Sequence, residues 1–244
     1  MFASMRVIVF ASQKGGSGKT TLSGHIAVEA GRQGAGPVAL VDTDPQGSLA
    51  KWWNVRQDPE PAFIQSVFSN LFQDLNRARD EGFRLVVVDT PPAVTRAISE
   101  VVGFADLVVA PTRPSPHDLR AVGPTVDIAE SRGKPLVFVI NGATPKARIT
   151  SEAAIALSQH GTVAPTVIHH RVDFAASMID GRTVMEIDPV CKSALEVKEV
   201  WKYLHERLMR QDGGYRTPDG QHHAAPAADA GSGPQRVFGR RFGS

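Results

Sequence analysis

Apolar residues in the first two hundred positions follow two alternating rhythms. Short unbroken runs are the pattern of strands buried on both faces: Val7-Ile8-Val9-Phe10-Ala11, Pro37-Val38-Ala39-Leu40-Val41, Phe83 to Val88, Asp106 to Pro111, and Leu136 to Asn141. A shorter sixth strand is expected over Val163 to Ile168. Between the runs, apolar residues fall three and four apart, as in Leu22, Ile26, Ala27 and Ala30, which predicts helices. Further helices are expected from about Leu119 to Arg132, from Ile149 to Gln159 and from about Lys192 to Arg210. The last of these carries Leu195, Val200, Trp201, Leu204 and Leu208 on one face. Ser48 to Gly82 reads as helical with a break near Pro59 and Pro61. Its stripe of Trp52, Trp53, Phe63, Val67, Phe68, Leu71, Phe72 and Leu75 reads as core rather than as a partner contact. The alternation predicts an α/β fold: a doubly wound, mostly parallel sheet with helices on both faces.

The 244 residues, 42% of them hydrophobic, suffice for one substantial core. No linker interrupts the first two hundred, so a single domain is expected over residues 1–211. From Asp212 the composition shifts to Gly, Pro, Ala and Asp without period, which predicts a disordered tail over 212–244. The tail ends in Arg236, Phe238, Arg240, Arg241 and Phe242, a basic-aromatic stretch open to nucleic acid, to a partner or to no contact. A net charge of +2 gives no bulk pull toward nucleic acid, so any DNA contact must come from a local patch. The lone Cys191 excludes a disulfide framework and fits a reducing cytosol. No run reaches membrane-spanning length and the N-terminus lacks a signal-peptide pattern, so the expected location is cytoplasmic.

Between the first strand and the first helix lies Lys14-Gly15-Gly16-Ser17-Gly18-Lys19-Thr20-Thr21. Strand, glycine-rich turn and helix in that order make a phosphate loop. The glycines let backbone N–H groups turn inward around a polyphosphate, and the helix start and Lys19 add positive charge. Thr20 is placed to offer a hydroxyl to Mg²⁺. The general pattern G-x-x-x-x-G-K-[ST] is nevertheless missed, because Gln13 stands where its first glycine belongs and Lys14 precedes the glycine pair. The second strand ends in Asp42-Thr43-Asp44-Pro45-Gln46-Gly47, two carboxylates at the edge where open α/β sheets bind ligands. The third strand ends in Asp89, the Walker B pattern, followed by Thr90-Pro91-Pro92 as a candidate γ-phosphate sensor. In Ser115-Pro116-His117-Asp118, Ser115 is a natural N-cap for the helix that follows. His169-His170 has no third ligand spaced to close a metal site.

The string KGGSGKTT resembles the deviant phosphate loop of the ParA/MinD group of ATPases, and D-x-D-P-Q-G resembles that group's second motif. The resemblance covers roughly residues 5 to 210, closest to small partition ATPases of the ParA type. It implies a P-loop ATPase of the deviant Walker A group with ATP or ADP and Mg²⁺ as cofactors. It implies that Lys14 reaches the nucleotide of a second subunit, so that ATP joins a homodimer. Gly15, Gly16, Ser17, Gly18, Lys19, Thr20 and Thr21 would hold the phosphates, and Asn141 would lie near the adenine. Thr20, Asp42 and Asp89 would serve the metal, and Lys14, Lys19 and Asp44 would be catalytic, Asp44 orienting the attacking water. Pro114, Ser115 and Asp118 resemble a loop at the dimer face, beside the capping role. Arg171, Arg182, Lys192, Lys198 and Lys202 become candidate contacts to nonspecific DNA, although a charged helical face is more often merely solvated.

No residue reads as a strong general base, so slow ATP hydrolysis is expected, and the resemblance implies stimulation by a ParB-like, centromere-binding or cargo-adaptor partner. The implied task is partition of a plasmid or chromosome over the nucleoid, or spacing of a protein cargo such as a carboxysome or chemotaxis cluster. No helix-turn-helix extension precedes the first strand, so direct operator recognition is not expected. Iron-protein relatives need more cysteines than one, and a tyrosine kinase needs more tyrosines than Tyr203 and Tyr215. A MinD-like membrane cycle needs a terminal amphipathic helix, which the Gly- and Pro-broken tail disfavours, so no stable membrane association is expected.

Overall fold

The computed structural model describes residues 5–210. In chain order these form β1 (Arg6–Phe10), α1 (Lys19–Arg32), β2 (Val38–Asp42), α2 (Ser48–Asn54), β3 (Ala62–Ile64) and α3 (Leu71–Asp80). There follow β4 (Leu85–Asp89), α4 (Arg96–Gly103), β5 (Leu107–Thr112), α5 (Pro116–Arg120), α6 (Gly123–Ser131) and β6 (Leu136–Ala143). The last are α7 (Arg148–Ser158), β7 (Thr162–Val163), β8 (Ile168–His169), α8 (Val172–Met178), α9 (Val184–Ile187) and α10 (Lys192–Met209). The expected tail over 212–244 lies outside the described residues.

The strands pair in parallel in the order β3-β2-β4-β1-β5-β6-β7, with β8 beside β6. β1 lies between β4 and β5, with Phe10 level with Asp89 on one side and with Val109 on the other. Alternate residues of the central strands enter opposite cores. Ile8, Phe10, Leu40 and Val87 pack with Leu22 and Ile26 of α1 and with Val197, Trp201 and Leu204 of α10. Val7, Val9, Val41 and Val88 pack with Leu71 and Leu75 of α3 and with Ile98 and Val101 of α4. Helices thus cover both faces, which is why the strands read as unbroken apolar runs.

Three segments differ from the sequence expectation. Ser48 to Gly82 is not continuously helical. Trp53 Nε1 donates to Pro61 O at 2.7 Å, and the chain then adds β3 as a three-residue edge strand, too short to show a period. Of its aromatic and apolar stripe, Trp52, Leu71 and Leu75 are core, whereas Val67 and Phe72 are exposed. The helix expected over Leu119 to Arg132 begins earlier, at Pro116, and is split. Gly123 and Pro124 restart it as α6. The sixth strand becomes two short pieces around Pro165, which has no N–H to give a ladder.

His25 of α1 is wholly buried, with Nδ1 2.8 Å from Thr21 O and Nε2 accepting from Val184 N at 3.3 Å. Both contacts are met by a neutral ring protonated on Nδ1, and burial pushes its pKa down to about 4. Beside it, Arg56 bridges α2 to α9. Its guanidinium donates to Glu186 Oε1 at 2.8 Å and Oε2 at 3.1 Å, to Gly181 O at 2.6 Å and to Glu60 O at 2.7 Å. Gly181 has φ +81°, and a Cβ there would meet the Arg56 backbone.

Candidate functional site

β1 delivers the chain to the point where the sheet changes winding direction, since β4 and β2 lie to one side of it and β5 and β6 to the other. That is where open α/β sheets place ligands. The loop leaving β1 turns through two left-handed glycines, Gly16 at φ +73° and Gly18 at φ +100°. A Cβ on Gly18 would overlap Asn141 Nδ2, which itself donates to Ser17 O at 2.7 Å. Gly18 therefore lets Asn141 brace the loop from the end of β6. α1 opens directly after Gly18 without a side-chain cap, so its first-turn N–H groups face the loop, as anion sites require.

Lys19 is buried, and its Nζ lies 3.4 Å from Lys14 O, a bond across the loop. Burial lowers its pKa, and Asp89 and then Asp44 partly restore it. Thr20 Oγ1 donates to Asp89 Oδ2 at 2.6 Å. The other carboxylate oxygen, Asp89 Oδ1, is buried with no hydrogen-bond partner among the described residues, as is Ser17 Oγ. Burial pushes the Asp89 carboxyl up to about 7. The Thr20 bond pulls against that rise, and the neighbouring Asp42, level with it on β2, adds to it. Thr43 donates to Asp89 O through N at 3.0 Å and through Oγ1 at 2.7 Å, and Thr90 Oγ1 donates to Phe10 O at 2.8 Å. Adjacent strand ends are thus stitched together, which holds the carboxylates in place.

Asp42 is occupied differently. Oδ1 accepts from Asp44 N at 3.0 Å and Oδ2 from Ala50 N at 3.0 Å, so it shapes the turn into α2 while standing beside Asp89. Asp44 faces the cleft, and its Oδ1 accepts from Gln46 N at 2.9 Å. Gly15, Gly16, Gly18, Lys19, Thr20, Thr21, Asp44 and Asn141 all line one cavity of about 480 Å³. Lys14 is exposed and does not line it.

The same cavity is also lined by residues that the sequence does not mark as part of the nucleotide site: Arg113, His169, His170 and Phe174. Arg171, expected on a DNA face, also lines the cavity, and both its terminal nitrogens donate to Glu196, at 2.6 and 2.7 Å. His169 Nδ1 lies 2.7 Å from the same carboxylate. The adjacent histidines could have drawn attention as cleft residues as well as metal candidates. Among the described residues no group of three or more His, Cys, Asp or Glu side chains comes together as a metal site, so the two histidines have no such set around them.

The remaining candidates are scattered. Arg182 is paired with Asp180 at 2.7 Å. Lys192, Lys198 and Lys202 are exposed on α10, with Lys198 and Lys202 one turn apart. Ser115 Oγ accepts from Asp118 N at 3.1 Å, and Asp118 is buried. These two residues cap α5, while Pro114 stays half-buried.

With this geometry in view, residues 8–184 match the family model described as the CobQ/CobB/MinD/ParA nucleotide binding domain. The maintenance of carboxysome distribution protein A of Halothiobacillus neapolitanus is 31% identical over 209 residues, covering 82% of this chain and 94% of that protein. The chromosome-partitioning ATPase Soj of Thermus thermophilus is 28% identical, covering 85% and 96%. Among solved structures, the Cyanothece McdA–ATP complex superposes with a TM-score of 0.70 at 15% identity, covering 86% of this chain and 98% of that one.

Proposed function

The chain belongs to the CobQ/CobB/MinD/ParA nucleotide-binding family, and we propose that it is a slow ATP hydrolase whose ATP-bound homodimer holds nonspecific DNA and positions a cargo. The observation that carries this reading is the buried Asp89 Oδ1, without a hydrogen-bond partner among the described residues, beside the Thr20 hydroxyl and the Lys19 ammonium. An orphan carboxylate oxygen is costly in a protein interior unless something arrives to use it. A magnesium-bound triphosphate fits: Thr20 and Asp89 would hold the metal, directly or through water, with Asp42 alongside. When bound, the metal supplies charge neutralisation across the phosphates.

The protein's own part is positioning. The uncapped start of α1 and the glycine-loop N–H groups cradle phosphate oxygens, and Lys19 draws them in. Asp44 stands at the cleft to orient a water, and exposed Lys14 is free to reach the nucleotide of a second subunit. Asp44 is the carboxylate placed to orient that water, and the slow turnover of this reading is one that an adaptor or ParB-like partner would raise. Two cargo readings stand. The relative named for carboxysome distribution favours a protein assembly, and the one named for chromosome partition favours DNA. No helix among the described residues is long and apolar enough to cross a membrane. If the ATP-bound dimer holds DNA as proposed, the nucleoid is where it would sit.

The DNA step has a direct check. A nonspecific duplex should be retarded by the full chain with Mg-ATP but not with ADP, and retention should fall steeply between 50 and 200 mM salt, roughly 10³-fold or more if about six phosphates are neutralised. Equal retention in both nucleotides, or none with ATP, would remove DNA from the proposal. Loss of retention on charge reversal of Lys198 and Lys202 together would locate the contact on α10.

A further inference from the structure

We propose that Arg113 is a phosphate-binding residue of the nucleotide cleft, acting on the nucleotide held by its own subunit. This rests on reading the cleft as a nucleotide site.

Arg113 is the first residue after β5, the strand that runs parallel to β1, so it emerges beside the phosphate loop. Its side chain crosses from one glycine to another. Cγ and Nε lie 3.7 Å from where a Cβ would stand on Gly142, and Nη2 lies 3.7 Å from the equivalent point on Gly16. Both glycines have positive φ, +68° and +73°, so the open path along which the arginine lies is one that other residues would both strain and narrow.

The guanidinium makes no hydrogen bond or ion pair among the described residues, and it is exposed to the cleft it lines. The other arginine of that cavity, Arg171, is the opposite case, gripped through two nitrogens by Glu196. Among the described lining residues Asp44 is the sole acid, so an anion entering the cleft meets little repulsion. Lys19, for its part, is shared with Asp89 and Asp44. A nucleoside triphosphate brings more negative charge than one shared ammonium balances, and a free planar fork suits phosphate oxygens in a bidentate grip.

The test is calorimetric titration of the full chain with Mg-ATP, comparing wild type, Arg113→Ala, Arg113→Lys and Lys19→Ala. A bond to a charged partner is worth about 10- to 100-fold in affinity, so Arg113→Ala should weaken ATP by that factor. Arg113→Lys should recover part of the loss, because it keeps the charge and loses the fork. Wild-type affinity in Arg113→Ala, with Lys19→Ala impaired, overturns the inference and leaves the nucleotide site standing. Failure of the wild type to bind ATP overturns both. A loss confined to protein concentrations at which the chain dimerises, and absent where light scattering shows single subunits, assigns Arg113 to the second copy and also overturns the proposal.

Discussion

Lys19→Ala is expected to lose at least about a hundredfold in affinity for Mg-ATP, or roughly 3 kcal/mol. The side chain sits under the loop with its ammonium near Lys14 O and attracted to Asp89 and Asp44, which places a full charge at the cleft floor. Alanine removes that charge, so an incoming polyanion loses the fixed cation at the cleft floor and Asp89 and Asp44 lose the ammonium that attracts them. Titration with a fluorescent ATP analogue measures the loss. Affinity within threefold of wild type would mean that the phosphates lie elsewhere. The variant should still fold, because removing a desolvated lysine relieves a burial cost as well as deleting a contact. Its unfolding midpoint without nucleotide is the control.

Arg56→Ala should destabilise the chain by about 3–5 kcal/mol at neutral pH without touching the nucleotide cleft. The arginine is buried, lies 5.0 Å over the Trp52 ring, and its partner Glu186 also receives the Thr183 N–H at 2.7 Å in the cap of α9. Truncation strands that carboxylate and frees Gly181 O and Glu60 O. Burial pushes the Glu186 pKa up, but the bonds from Arg56 and Thr183 outweigh it and hold the group below its ordinary 4.5. A depressed carboxylate contributes stability above its unfolded pKa and loses it as pH falls through the folded value. The wild-type advantage over Arg56→Ala should therefore be full above about pH 5 and shrink in more acid solution. Urea unfolding at pH 7.5 and pH 4 reads both numbers. A gap below 1 kcal/mol at pH 7.5, or one that widens in acid, would contradict the pairing.

The strand runs through Ile8, Leu40, Val87, Val109 and Val139 were legible because a strand covered on both faces needs no polar positions. Its sequence then advertises burial directly. The glycine loop was legible because its demand, backbone turned inward before a helix, is local. What stayed hidden depends on distant partners. β3 is only three residues and is held by Trp53 and β2, so no period marks it. In the sequence Arg171 reads as a surface cation, and only the fold brings it to Glu196, 25 residues on, while Arg113 makes no hydrogen bond or ion pair among the described residues. The bond from the Asn141 amide nitrogen to Ser17 O, a contact 124 residues apart, had no signal in the sequence around either residue. Pairing of this kind is set by the fold, and composition around each residue does not report it.

The central claim is that nucleotide state sets oligomeric state through Lys14, and the most direct measurement is the molar mass of the full chain by light scattering. With Mg-ATP the mass should double relative to ADP in the wild type, and should stay that of a single subunit in Lys14→Ala although that variant still binds ATP. A mass unchanged by ATP in the wild type, or a doubling that survives in Lys14→Ala, would contradict the account.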